Sequence, residues 1–149
     1  MVDIVIAVKP EYAKKILDGL KHFEFRKQKP RRRVSRVYIY ASSPDKKIVG
    51  CFRIRGVVSG TPAEIWKKCG SQGGIERDKF FSYFGTCKIG YGLEVGDVQR
   101  FDPPVDPYYK NCDFKAPQSF AYVHDVGEIG LTESVGDSLQ CQNLDWIES

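Results

Sequence analysis

The sequence has no long hydrophobic run. Its longest purely apolar stretch, Ile4 to Val8, is 5 residues, against the ~20 that a membrane-spanning helix needs, so no membrane association is expected. Histidine is scarce, with 2 residues, and the 5 cysteines (Cys51, Cys69, Cys87, Cys112 and Cys141) stand 18, 18, 25 and 29 apart without a C-x-x-C pair. That spacing supports neither a zinc site nor a disulfide framework. No metal or other cofactor is expected, and the cysteines read as buried free thiols, packing as small hydrophobes. The G-x-x-x-x-G-K phosphate loop is missing, which leaves nucleotide hydrolysis without support, and no G-x-S-x-G elbow marks a serine hydrolase. The opening residues, MVDIVIAVKP, carry an acid at Asp3 and no cationic start. They do not read as a secretory signal, so the cytoplasm is the expected compartment.

What the chain does have is the size of one domain, 149 residues, enough to bury a core without staples. It also has a lopsided charge. Residues 1–55 hold 15 Lys/Arg against 5 Asp/Glu, while residues 56–149 hold 8 against 14. A basic half of this size points to an anionic partner, of which nucleic acid is the commonest large one.

Short strands dominate the pattern. Asp3–Lys9 is a β-branched apolar run and reads as a strand. Pro10 opens a helix whose apolar positions are Tyr12, Ala13, Ile16, Leu17 and Leu20, stopped by Gly19. Phe23 and Phe25 alternate with Glu24 and Arg26 on the next strand. The segment KQKPRRRVS, with Lys27, Lys29, Arg31, Arg32, Arg33 and Arg36, reads as an exposed loop. Strands are predicted at Arg36–Ala41 and Lys47–Val58, separated by the turn SSPD. Thr61, Pro62 and Glu64 form a helix start with a capping box, and Ile75–Phe84 a third helix with Phe80, Phe81 and Phe84 inward. Residues 87–101 return to strand with a turn at Gly96-Asp97, the segment DPPVDPYYKN reads as a proline-rich loop, and Phe120–Val123 is the last strand. The expected organisation is a domain over residues 1–126 and an acidic, loosely held tail over 127–149.

One segment carries chemistry. In Gly19-Leu20-Lys21-His22-Phe23-Glu24-Phe25-Arg26, residues two apart on the strand share a face. Glu24 and Arg26 can therefore pair while the phenylalanines enter the core; from spacing alone, an exposed ion pair worth ~0–1 kcal/mol is the plainer outcome. His22 lies on the same face as Glu24, where a solvated histidine is commoner than a catalytic base.

The pattern G-x-K-x-x-E-x-R between a helix end and a strand resembles the signature of the ASCH domain family, a branch of the PUA-like β-barrels. Tyr40-Ala41-Ser42 with Pro44, Ile48-Val49-Gly50 and Pro117-Gln118-Ser119-Phe120 fit the same resemblance in order, over about residues 4–123. The resemblance implies a strand-dominated α+β fold: a small PUA-like barrel of about five or six strands with three short helices at its side. It also implies a cleft between barrel and helices that binds RNA, or a nucleoside or base derived from it, with a possible tie to transcription or translation control. Carried over, Lys21, Glu24 and Arg26 line that cleft and Ser42 stands on its rim.

The chemistry of these groups agrees. Arg26 is a fork donor for a phosphate or a guanine edge, and Glu24 orients it or accepts from an exocyclic amine. Lys21, beside an arginine, is a candidate for a lowered pKa. Tyr38, Tyr40 and Tyr91 are candidates for stacking unpaired bases, and Arg31, Arg32 and Arg33 for tracking phosphates. The competing expectation is a hydrolase of an acylated cytidine or of RNA phosphodiesters, with Lys21 central and Glu24 and Glu76 as acids. Glu24 stands where the cytidine-acting branch has a threonine, which speaks against that substrate. A module that docks an acidic protein through the basic loop is the third expectation.

Overall fold

A computed structural model describes residues 1–131 of the chain; of the tail expected over 127–149, residues 132–149 lie outside the described residues. Six strands form one mixed sheet: β1 (Val2–Val8), β2 (Phe23–Arg26), β3 (Val34–Ala41), β4 (Lys47–Gly60), β5 (Gly90–Val105) and β6 (Phe120–Val123). Their order is β2-β5-β4-β3-β1-β6. Only β1 and β3 pair in parallel, through the crossover that holds α1 (Pro10–Leu17); the other neighbours are antiparallel. Two more helices, α2 (Pro62–Cys69) and α3 (Arg77–Phe84), lie between β4 and β5, and a single turn, α4 (Pro107–Lys110), follows β5. None of these helices is long and apolar enough to cross a membrane.

The α+β, strand-dominated class holds, but the sheet is not closed into a barrel. The edge strands β2 and β6 share no ladder. Each is only four residues long, too short to supply the continuous pairing that closure requires. The sheet curls, and a side chain bridges the seam. Arg26, on the β2 edge, donates from Nη2 to the Ala7 carbonyl of β1 at 2.8 Å and from Nη1 to the Ser119 carbonyl just before β6 at 3.2 Å.

Alternation along the strands sorts the core into three clusters. Ile4, Ile6 and Val8 join Val37, Ile39, Ala41 and Phe52 beneath Ala13 and Ile16 of α1. On the opposite face Val5, Tyr38, Tyr40 and Cys51 meet Phe101, Phe114, Ile129 and Leu131. The third cluster places Phe23 and Phe25 of β2 against Ile65 and Cys69 of α2 and Phe80 and Phe84 of α3. It fixes β2, and hence the motif, relative to the helices. The helix starts form as the sequence predicts: Pro10 opens α1, and Thr61 and Glu64 exchange backbone and side-chain hydrogen bonds at 3.2 Å.

Several local expectations are corrected. Gly96-Asp97 is not a turn. β5 runs through it with an extra residue between Gly96 and Gln99 against Arg53 and Cys51 of β4, a bulge with Asp97 at φ 50°. The start of the proline-rich segment belongs to β5, because Pro103 and Pro104 fall in an unpaired stretch between Arg100 and Val105, where no backbone N–H is required. Leu20 lies past the end of α1 and is exposed. Arg36 is not part of the exposed loop: it belongs to β3 and is buried, donating to the Tyr38 hydroxyl at 2.7 Å. Cys51 and Cys69 are buried free thiols, but Cys112 is exposed.

Candidate functional site

The link between α1 and β2 positions the motif. Asp18 and Gly19, at φ 77°, turn the chain after α1. The His22 backbone N–H then bonds to the Gln72 carbonyl at 2.8 Å, tying the start of β2 to the segment between α2 and α3. On β2 the phenylalanines face the helices, and the intervening Glu24 and Arg26 point to the other side. That side is not exposed as an isolated ion pair would be. The sheet's curl covers it, and Lys21, Glu24 and Arg26 are all more than nine-tenths buried.

The three side chains form one network. The Lys21 ammonium donates to the Gly73 carbonyl at 2.5 Å and lies 4.0 Å from Glu24 Oε1. The other Glu24 oxygen, Oε2, accepts from Arg26 Nη2 at 3.2 Å. Two cations thus share one carboxylate, leaving a formal charge of +1 in an interior that solvent barely reaches. Lys21 sits 5.4 Å from the Tyr12 ring centroid and 4.8 Å from that of Phe25, an attractive arrangement that does not supply a counter-charge. Burial holds its pKa below the ordinary 10.5; Glu24 opposes that shift, and Lys15 and Arg26 add to it.

Donor capacity remains. Of the five N–H groups of Arg26, three reach Ala7, Ser119 and Glu24, while Nε is buried without a partner among the described residues. Lys21 uses one of its three donors on Gly73. Gly73 and Gly74 are what let this loop approach. Gly74 has φ 62°, and a Cβ there would stand 2.8 Å from Lys21 Cβ. Its carbonyl accepts from Lys15 at 3.1 Å, so two lysines hold adjacent carbonyls of one loop.

Around this network the structure distributes the other expected residues unevenly. Tyr40 is the register partner of Ala7, whose carbonyl holds Arg26. Ser42 is half-buried at the end of β3, its N–H bonded to the Val8 carbonyl at 2.9 Å. These two therefore lie beside the seam. Arg31, Arg32 and Arg33 are exposed, as expected, but Arg33 pairs through its carbonyl with Val2. That is five strand residues from Ala7, or ~17 Å at ~3.3 Å per residue. The arginine loop starts near the network and leads away from it.

Two stacking expectations fail. Tyr38 is fully buried and Tyr40 nearly so. The Tyr40 ring packs on Phe114 at 5.4 Å and its hydroxyl shares a 2.9 Å hydrogen bond with that of Tyr108, so neither ring offers a free face. Burial pushes the Tyr38 hydroxyl up to about 12 and raises that of Tyr40 as well. Glu76 stands at the N-terminus of α3, exposed and without a capping hydrogen bond. His22 is exposed. No group of three or more His, Cys, Asp or Glu residues suited to a metal occurs among the described residues.

Two residues were not anticipated. Tyr12, half-buried on α1, lies under both Lys15 and Lys21. Tyr83, 39% exposed on α3, feels the charges of Arg26 and Glu24 and lies under the Lys27 ammonium. Burial raises the hydroxyl pKa of both. Tyr12 stands at an apolar helical position and reads as core; the sequence signal against that was charge, Lys15 one turn further along the same helix. Tyr83, beside the Phe80–Phe84 stripe, had no such marker.

Comparison with known proteins places this geometry in context. The ASCH domain profile matches residues 6–111. An "ASCH domain-containing ribonuclease" of Zymomonas mobilis subsp. mobilis is 28% identical over 124 residues, covering 81% of this chain and 84% of that one. A chain of Ureaplasma parvum serovar 3 named "Large ribosomal subunit protein uL22" is 31% identical over 121 residues; the match spans 80% of this chain but only 39% of that relative's length. Among solved structures, a tyrosine-to-phenylalanine variant of the Zymomonas mobilis ASCH protein superposes with a TM-score of 0.78 at 26% identity, covering 87% of this chain and 94% of that one. The unsubstituted Zymomonas mobilis ASCH protein gives 0.75 at 26% identity, covering 84% and 90%.

Proposed function

The chain belongs to the ASCH domain family, and from that premise we propose that it binds RNA, taking a phosphate or a base edge at the Lys21–Glu24–Arg26 network. The observation that carries this reading is the surplus positive charge buried in the network. An unbalanced buried cation is costly. An anionic guest removes that cost and accepts from the donors that remain on Lys21 and Arg26. Ser42 stands at the rim. Arg31, Arg32 and Arg33 add sequence-independent attraction along the strand that leads away. A nucleoside or free base is the smaller ligand that the same donors fit; a link to transcription or translation control would follow from the RNA bound.

RNA phosphodiester cleavage is the second reading. Two observations favour it: the name of the Zymomonas relative and the lowered pKa of Lys21, which brings a neutral amine closer to working pH. Lys21 would stabilise charge on the phosphorus oxygens or move a proton, Arg26 would hold the phosphate, and Glu24 would orient both cations. Glu76 lies outside the buried network, so a direct role for it rests on substrate reaching the outer side. The acylated-cytidine reading gains nothing from the geometry.

Lys21→Met tests both readings. The wild type is expected to retain a labelled single-stranded oligoribonucleotide on a filter, and Lys21→Met to lose at least about tenfold in affinity, the size of one charge-assisted contact. Shortening of the labelled strand by the wild type but not by Lys21→Met adds the cleavage reading. Retention unchanged by the substitution contradicts the proposed role of the network.

A further inference from the structure

Resting on the RNA reading above, we infer that Tyr83 and Tyr91 form a stacking track for unpaired bases. It carries a single strand from the Lys21–Glu24–Arg26 network out to the arginine loop. Tyr83 comes from the end of α3 and Tyr91 from the start of β5, two consecutive elements joined by a short link, and both meet the end of β2. Tyr91 is the register partner of Arg26. Tyr83 lies under Lys27, the residue that follows β2, and within the fields of Arg26 and Glu24. Gly90 makes the meeting possible: a Cβ there would fall against the Phe84 ring, so only a glycine lets the end of α3 settle beside the start of β5.

Both rings reach the surface and both are covered by a lysine of the same loop. Lys27 Nζ lies 5.0 Å from the Tyr83 centroid and Lys29 Nζ 5.7 Å from that of Tyr91. Tyr83 is 39% exposed, Tyr91 half-buried, and the two lysines are exposed. Tyr83 is braced from beneath by Phe84, with centroids 5.0 Å apart at 72°. The loop then continues to Arg31, Arg32 and Arg33. Cations alternate along the strand's path, and beneath the first two lie flat rings, the combination that single-strand binders use. An exposed lysine–tyrosine contact is weaker than a base stacked on tyrosine. An arriving base therefore displaces the ammonium, which turns to the adjacent phosphate. Stacked bases are hidden in a duplex, so the track selects unpaired strands.

Fluorescence anisotropy with labelled oligouridylate, and with the same length as a duplex, tests this on the full chain. Tyr83→Leu is expected to weaken single-strand affinity about tenfold and Tyr91→Leu by a similar factor. The slope of log affinity against log salt should stay unchanged, since no cation is lost. Tyr83→Phe and Tyr91→Phe, which keep the ring, should bind within about twofold of wild type, whereas Lys27→Gln and Lys29→Gln should flatten the slope. Leucine variants that bind as wild type, or lose duplex and single strand alike, overturn the track while the RNA reading stands. A wild type that holds no oligouridylate even at low salt overturns the RNA reading, and the track with it. Tyr83→Leu, on an exposed helix face, decides the matter alone if Tyr91→Leu does not fold.

Discussion

The Lys21 ammonium and the Glu24 carboxylate lie 4.0 Å apart in an interior nearly closed to solvent, and the carboxylate is shared with Arg26 at 3.2 Å. One anion between two cations makes the three residues unequal in what their loss does.

Removing Glu24 leaves two buried cations facing each other. Glu24→Gln is expected to destabilise the fold by about 3–5 kcal/mol. Removing Lys21 leaves a balanced Glu24–Arg26 pair and one carbonyl, that of Gly73, without its donor. Lys21→Met should therefore change stability by less than about 2 kcal/mol. Urea unfolding of the two variants beside wild type checks the asymmetry. Equal losses would mean that the network is not arranged around Glu24.

Stability should also depend on pH through Lys21. Its folded pKa lies below the ordinary 10.5, so between those two values the unfolded chain binds more protons than the folded one. Stability then rises with pH across that window, and below it the cost of burying the charged amine is present in full. Tyr38, pushed up to about 12, acts with the opposite sign, since the folded state keeps a proton that the unfolded state loses. The difference between wild type and Lys21→Met isolates the lysine. That difference should shift in favour of wild type as pH climbs toward 10.5, and a flat difference would count against the lowered pKa.

The arginine loop should act at long range only. Replacing Arg31, Arg32 and Arg33 together with Ala removes three exposed cations. If all three meet phosphates, the slope of log affinity against log salt for single-stranded RNA should shrink by about 2, at ~0.7 per phosphate neutralised. The thermal midpoint should hardly move. An unchanged slope would assign the loop to solubility instead.

Much of this was legible in the chain because local rules agree with the fold. Pro10 at a helix start, the Thr61–Glu64 capping box and the alternation of Val37 and Ile39 against Tyr38 and Tyr40 each name an element and a face. The three motif residues, close in the chain, meet in one buried network. What was hidden depends on long-range geometry. Sequence cannot tell that the polar face of β2 is buried, because the cover comes from Ala7 and Ser119 at the far side of a curled sheet. Tyr38 and Tyr40 are covered by Phe101, Phe114, Ile129 and Leu131, residues distant in the chain that only the fold brings there. Nor does spacing tell a bulge from a turn at Gly96-Asp97, since the difference lies in the partner strand. Tyr12 and Tyr83 were obscured for a related reason: on amphipathic helices an aromatic at the margin of the apolar stripe looks the same whether it seals a core or borders a site.

The most direct measurement is a titration of the Lys21 ε-carbon by NMR, in protein carrying labelled lysine and with Lys21→Met to assign the signal, free and with uridine monophosphate added. The free protein should give a midpoint below 10.5, and the bound phosphate should raise it, because an anion balances the surplus charge. A midpoint at the ordinary value, or one that saturating nucleotide leaves in place, would contradict the claim that this buried network is built to receive an anion.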